Sequence, residues 1–137
     1  MFRWLWNALF GNKETIERPS PKIRIRPEQV KIENGTLTVT GLVDCFIAAI
    51  APSNSMESLI DDGMFVLLDR SVPASEIIAG DILWFKSPTF EAIHRVIEIG
   101  ADEQGWWAKS KGDNNAYADP GVIRKSDVQG VWRATLN

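Results

Sequence analysis

One hundred and thirty-seven residues, 45% of them hydrophobic and 24% charged, suffice for one self-folding domain and leave little room for a second. The net charge of −3 is unevenly spread: residues 1–26 carry six basic groups against two acids (Glu14 and Glu17), which leaves the remainder at −7. An acidic main body with no basic helix, zinc spacing or helix-turn-helix pattern excludes duplex binding, whose affinity comes from phosphate neutralisation, so no nucleic-acid partner is expected.

At the N-terminus, Phe2, Leu5, Trp6 and Leu9 share one side of a predicted helix over residues 2–10, which Gly11-Asn12 would stop. Aromatic side chains beside a positive charge suit a membrane interface. Residues 1–11 are therefore expected to make a weak contact with a membrane surface or a protein, the plainer alternative being a terminal helix folded onto the domain. Residues 12–22, with Pro19 and Pro21, read as a linker. The expected plan is an amphipathic segment and linker over 1–22, then a single β-rich domain over 23–137. No stretch reaches the roughly 18 apolar residues of a transmembrane helix. Residues 45–51 are too short, and the N-terminus lacks the apolar run and cleavage site of a secretory signal. A soluble chain, at most peripheral at a membrane, is the expectation.

From residue 23 onward the pattern is mostly β. Ile23–Arg26, Val30–Ile32 and Thr36–Thr40 alternate, and Asn34-Gly35 between the last two is a hairpin turn signal because both residues tolerate positive φ. Further strands are expected at 42–50, 64–69, 81–86, 91–99, 105–110 and 129–135. Turn clusters at Asp61-Asp62-Gly63, Ala79-Gly80-Asp81 and Asp119-Pro120-Gly121 separate them. Trp84, Trp106, Trp107 and Trp132 fall in these strands and read as core or sheet surface. Cys45 is the single cysteine, so no internal disulfide forms, and its apolar neighbours mark it as a small buried hydrophobe.

Three segments carry residues suited to chemistry. Pro52-Ser53-Asn54-Ser55-Met56-Glu57 follows an apolar strand, whose end can present a serine while fixing its position, although taken alone the segment reads as a polar turn. A serine needs a base, and His94, the only imidazole, lies in the alternating run Glu91–Ile99. Lys111–Pro120 is a polar loop holding Asp113 and Asp119. It lacks the acid count and closing glutamate of a calcium loop.

In order, Pro-Ser-Asn-Ser-Met-Glu (52–57), Gly-Asp-Ile-Leu-Trp-Phe (80–85), Ile-His-Arg-Val-Ile-Glu-Ile (93–99) and Lys-Gly-Asp-Asn-Asn (111–115) resemble the four signature boxes of type I signal peptidases. The resemblance runs from residue 51 to about 132, where Val128–Trp132 is similar to the family's closing Val-x-Gly strand. It implies a mostly β domain with a coiled, partly barrel-like sheet and few short helices. His94 stands where the usual bacterial enzymes carry lysine, which resembles the archaeal and endoplasmic-reticulum branch with its Ser, His and Asp. Two positions depart from the family pattern: Asn54 stands where glycine is common, and Ser58 where proline is usual.

The resemblance implies a serine endopeptidase with no metal and no cofactor, cutting an extended peptide or preprotein after small residues, as in signal peptide processing. Ser55 is the expected nucleophile and His94 its base. Asp119 or Asp113 would orient the imidazole; Asp119 is favoured because Asp113 follows Gly112 in what reads as a constrained turn. The Ser55 N–H and Ser53 Oγ are the expected oxyanion donors, and Met56 and Ile93 the substrate-side walls, unless they are core. Two alternatives stand beside this. One is a self-cleaving repressor-type peptidase, set against by His94 in place of lysine and by the only Ala-Gly pair (79–80) lying after the serine. The other is a non-catalytic structural or binding module on the same fold, in a phage or secretion-related assembly.

Overall fold

The computed structural model of the chain describes residues 18–137, so the expected helix over 2–10 and most of the linker lie outside the described residues. Two antiparallel sheets make up the described part, neither closed into a barrel. Strands β1 (Val30–Glu33) and β2 (Thr36–Val39) form a separate hairpin. Its turn is made by Asn34 and Gly35 with φ of 51° and 75°, the paired positive values of the tight hairpin turn that this dipeptide favours.

The main sheet has seven strands: β3 (Cys45–Ala49), β4 (Phe65–Asp69), β5 (Ile82–Lys86), β6 (Glu91–Asp102), β7 (Gly105–Lys111), β8 (Ile123–Arg124) and β9 (Val128–Leu136). Their order is β3-β4-β9-β5-β6-β7-β8. The last long strand thus enters the middle of the sheet and joins β3-β4 to the β5-β6-β7 meander. Helical structure among the described residues is limited to three short 3-10 turns, at Pro27–Gln29, Ala74–Glu76 and Lys125–Asp127. No helix of the described residues is long and apolar enough to cross a membrane.

Alternation along β5 assigns the two cores. Leu83 and Phe85 point to one face and pack with Val72, Ile77, Val96 and Val131. Ile82 points to the other, where Met56, Ile60, Val66 and Leu68 lie and Trp84 packs against them. A sheet buried on both faces has little room for polar groups without partners, and most of its buried ones are paired, the indole N–H of Trp106 in β7 being an exception. Asp69, fully buried, accepts bonds from Ser71 and from the Arg133 guanidinium. Burial pushes its carboxyl up, but the Ser71 and Arg133 bonds more than reverse this and hold it below the ordinary carboxylate range.

Sequence and structure part at Ile23–Arg26, which forms no strand. The reason lies in Asp81, buried at the start of the Gly-Asp box. It accepts bonds from the Lys22 backbone N–H (3.0 Å) and the Arg24 guanidinium (2.7 Å), while the Arg24 carbonyl accepts from Arg133. Buried Asp81 and partly buried Arg133 capture this segment's polar groups, and no sheet edge receives them. Upstream, the Ser20 carbonyl crosses directly over Gly80 (φ 104°), where any Cβ would collide with it.

Register irregularities at Leu67/Leu68 in β4, Trp84/Phe85 in β5 and Val96/Glu98 in β6 bend the sheet. Its first strand and the start of its fifth, β6, consequently line one cleft.

Candidate active site

The segment after β3 leaves the sheet at Ile50 and carries Ser53, Asn54 and Ser55 across the open end of the domain, with Met56 pinned beneath in the second core. The Lys111–Asn115 turn clamps this segment. The Asn114 backbone N–H donates to the Ser55 carbonyl (2.8 Å), and the Asn114 side chain donates to the Asn54 carbonyl (2.9 Å). The Asp113 N–H reaches the Met56 sulfur at 3.3 Å. Gly112 permits the clamp, since a Cβ there would sit 2.8 Å from the Ser55 carbonyl oxygen and nearer still to the Asn115 side chain.

His94 comes from β6, opposite Leu83 of β5, and is 4% exposed. Phe85 and Phe90 flank its ring with centroids 6.4 and 6.0 Å away. Its Nε2 lies 3.0 Å from Ser55 Oγ and its Nδ1 2.7 Å from Asp119 Oδ2. With the proton on Nδ1, the imidazole donates to Asp119 and turns an acceptor lone pair to the Ser55 hydroxyl. The same Asp119 oxygen accepts from the hydroxyl of Ser110 at 2.6 Å, and the Asp119 N–H donates to the Ser110 carbonyl, so β7 fixes Asp119 twice, once through its carboxylate and once through its backbone. A hydroxyl, an imidazole and a carboxylate in this line can move a proton from the hydroxyl to the ring while the carboxylate holds the ring.

Of the two acids expected near the imidazole, the structure brings Asp119 to it and directs Asp113 elsewhere. Asp113 takes two bonds of 2.8 Å from Arg95, and Arg18 donates to its backbone carbonyl at 2.9 Å. Burial pushes the Asp113 carboxyl up, yet the bonds and charge of Arg95, with Arg18 and Lys111 behind it, leave it below the ordinary carboxylate range. A carboxylate engaged this way organises the turn that carries it.

Ser53 Oγ donates to Ser55 Oγ at 3.0 Å, and the Ser55 N–H points back at Ser53 Oγ at 3.4 Å, so the two expected donors converge on one side of the hydroxyl. A cleft of about 530 Å³ opens beside them. Ile93 and Met56 both line it, and Met56, only 3% exposed, belongs equally to the core. Ala48, Ala49 and Ala51 supply the facing wall.

Two strand edges border this cleft. β3 is the outer strand of the sheet, and β6 pairs with β7 only from Arg95 onward, so residues 91–94 bond to β5 on one side alone.

Sequence reasoning did not single out Ser110, Phe85 or Phe90. Ser110 ends an alternating run that reads as ordinary strand, and only the position of Asp119 nine residues later, unknowable without the fold, gives its hydroxyl a task.

No family model and no solved structure matches the chain. Over 81 residues it is 31% identical to signal peptidase I W of Bacillus subtilis (strain 168), an alignment covering 58% of this chain. The chain spans 43% of the length of that relative. The likeness supports a relationship to signal peptidase I, distant and partial, on a β-rich domain.

Proposed function

We propose that the protein is a serine endopeptidase of the signal peptidase I kind, working through Ser55, His94 and Asp119 in the manner of the archaeal and endoplasmic-reticulum branch. The observation that carries the reading is the unbroken line Ser55 Oγ–His94–Asp119, with contacts of 3.0 and 2.7 Å. His94 takes the hydroxyl proton as Ser55 Oγ attacks the peptide carbonyl, and returns it to the leaving amine when the C–N bond breaks. Asp119 keeps the ring in the working tautomer and stabilises the imidazolium, while Ser110 holds Asp119. The Ser55 N–H and Ser53 Oγ, now turned toward each other, are the donors to the developing oxyanion. Water then hydrolyses the acyl-enzyme by the same proton route.

The substrate adds as an extended strand between the open edge of β3 and that of residues 91–94, its small side chains entering the alanine-lined cleft. The likeness to a signal peptidase supports an exported protein as substrate. The test is labelling by a serine-reactive phosphonate at mildly alkaline pH, read by intact mass. A single adduct on wild type that is absent from Ser55→Ala and His94→Ala is expected. Well-folded wild type without an adduct, and without cleavage of any small-residue peptide, overturns the reading in favour of a binding module.

A further inference from the structure

A second recess of about 560 Å³ adjoins the cleft, and Asn115 belongs to the walls of both. The two follow one another along β6: Ile93 lines the cleft, and Arg95, on the same face two residues on, lines the recess. A peptide laid through the cleft therefore passes Ser55 and His94 and runs out into the recess.

The chemistry changes at that point. The cleft is walled mainly by alanine, isoleucine, methionine, Trp84 and Phe90, with Glu91 in its lining. The recess is walled instead by Arg18, Arg95 and Lys111, with Asp113 as the one carboxylate among the described residues, and by Asn114 and Asn115. Arg95 gives its charge to Asp113. Arg18, 46% exposed at its side chain, stands 3.9 Å from the same carboxylate, which Arg95 already neutralises. Lys111 donates to the Gly112 carbonyl at 3.1 Å, and an ammonium has further protons to give. The recess is thus a locally positive patch on a body whose residues 27–137 sum to −7.

We propose that this recess receives the leaving side of the substrate, and that Lys111 and Arg18 select a carboxylate side chain within the first few residues after the scissile bond. The assignment of sides rests on the peptidase reading above, in which the alanine-lined cleft takes small residues on the acyl side. The selecting charges sit near the surface, so their effect is modest and salt-sensitive.

The test is a series of quenched fluorescent peptides sharing one small-residue acyl side and carrying Glu, Gln or Lys at each of the first three positions after the bond. Wild type is expected to cleave the Glu peptides with kcat/KM about 3- to 10-fold above the Gln peptides at the responsive position, with Lys lowest and the spread narrowing at high salt. Lys111→Gln should shrink the Glu-to-Gln ratio, and Lys111→Glu should turn the preference toward Lys. Cleavage with no preference at any position, or a preference unchanged in Lys111→Glu, overturns this inference and leaves the peptidase reading intact. Should wild type cleave none of the peptides, calorimetric titration of Ser55→Ala with the same series decides: tighter binding of the Glu peptides supports the recess, and equal affinity overturns it.

Discussion

Arg95 and Asp113 hold each other through two parallel hydrogen bonds, Nε to Oδ1 and Nη2 to Oδ2, both 2.8 Å, with both residues buried. The same guanidinium donates to the Gly80 and Pro19 carbonyls. One pair therefore ties together the segment entering the domain, the Gly-Asp turn before β5 and the turn that grips the Ser55 backbone. Two acids in one loop are thereby assigned separate tasks, Asp113 to architecture and Asp119 to the imidazole.

That division is testable by exchange. Asp113→Asn leaves Arg95 as a buried cation without its counter-charge and should cost about 3–5 kcal/mol of stability, read as a lowered urea midpoint. Asp119→Asn should shift the midpoint far less and reduce kcat by roughly 10³- to 10⁴-fold through the wrong imidazole tautomer. Similar midpoints for the two variants, or the larger rate loss in Asp113→Asn measured under folded conditions, would contradict the assignment.

In the proposed peptidase reaction Ser110 is a positioning residue that acts through Asp119. Ser110→Ala should lower kcat about 10-fold with KM little changed, because the acyl-side cleft is untouched while one bond to the carboxylate is lost. Ser110→Thr, which keeps the hydroxyl, should recover most of the rate. Steady-state kinetics on the three proteins checks both points; a rise in KM with unchanged kcat would place Ser110 elsewhere in the chemistry.

Gly112→Ala puts a methyl group against the Ser55 carbonyl and the Asn115 side chain, so the clamp must open. The expected result is destabilisation of about 1–3 kcal/mol, the usual cost of overpacking, together with loss of phosphonate labelling at temperatures where the domain is still folded. Labelling at the wild-type rate would mean that the turn does not set the Ser55 position.

Acid should unfold the domain through Asp69 and Asp113. Both are held below the ordinary carboxylate value of 3.8 in the folded chain. Below that value the unfolded chain binds protons that the folded chain does not, so stability falls as pH falls. The contribution is complete above about pH 5 and disappears as pH drops past 3.8 through the folded values. Urea midpoints measured from neutral pH down to about pH 3 should decline most steeply at the acid end, and Asp69→Asn and Asp113→Asn should each flatten the decline. A slope identical in all three proteins would exclude these two carboxylates as its source.

Local chemistry was readable directly from the chain. Asn34-Gly35 specifies its hairpin turn by its own conformational preference, and the alternation of Glu91–Ile99 specifies β6, because strand pairing follows side-chain period. The order of the four motif boxes likewise led to Ser55, His94 and a choice of two acids. Alternation misled at Ile23–Arg26, where the deciding partners, Asp81 and Arg133, lie more than fifty residues away in the chain. The two-residue β8 left no periodicity to read, and the helix over 2–10 falls outside the described residues.

What sequence by itself determined is therefore the β-rich class, the run of strands and the residue types of the candidate site. Tertiary structure alone decided which acid meets His94. The chain only leaned to Asp119, through the turn after Gly112, and the two acids part company because Arg95 of β6 lies against Asp113 while Ser110 of β7 and the imidazole lie against Asp119. Pairing between groups distant in sequence is settled by sheet register and burial, and neither property is written in any local stretch of residues.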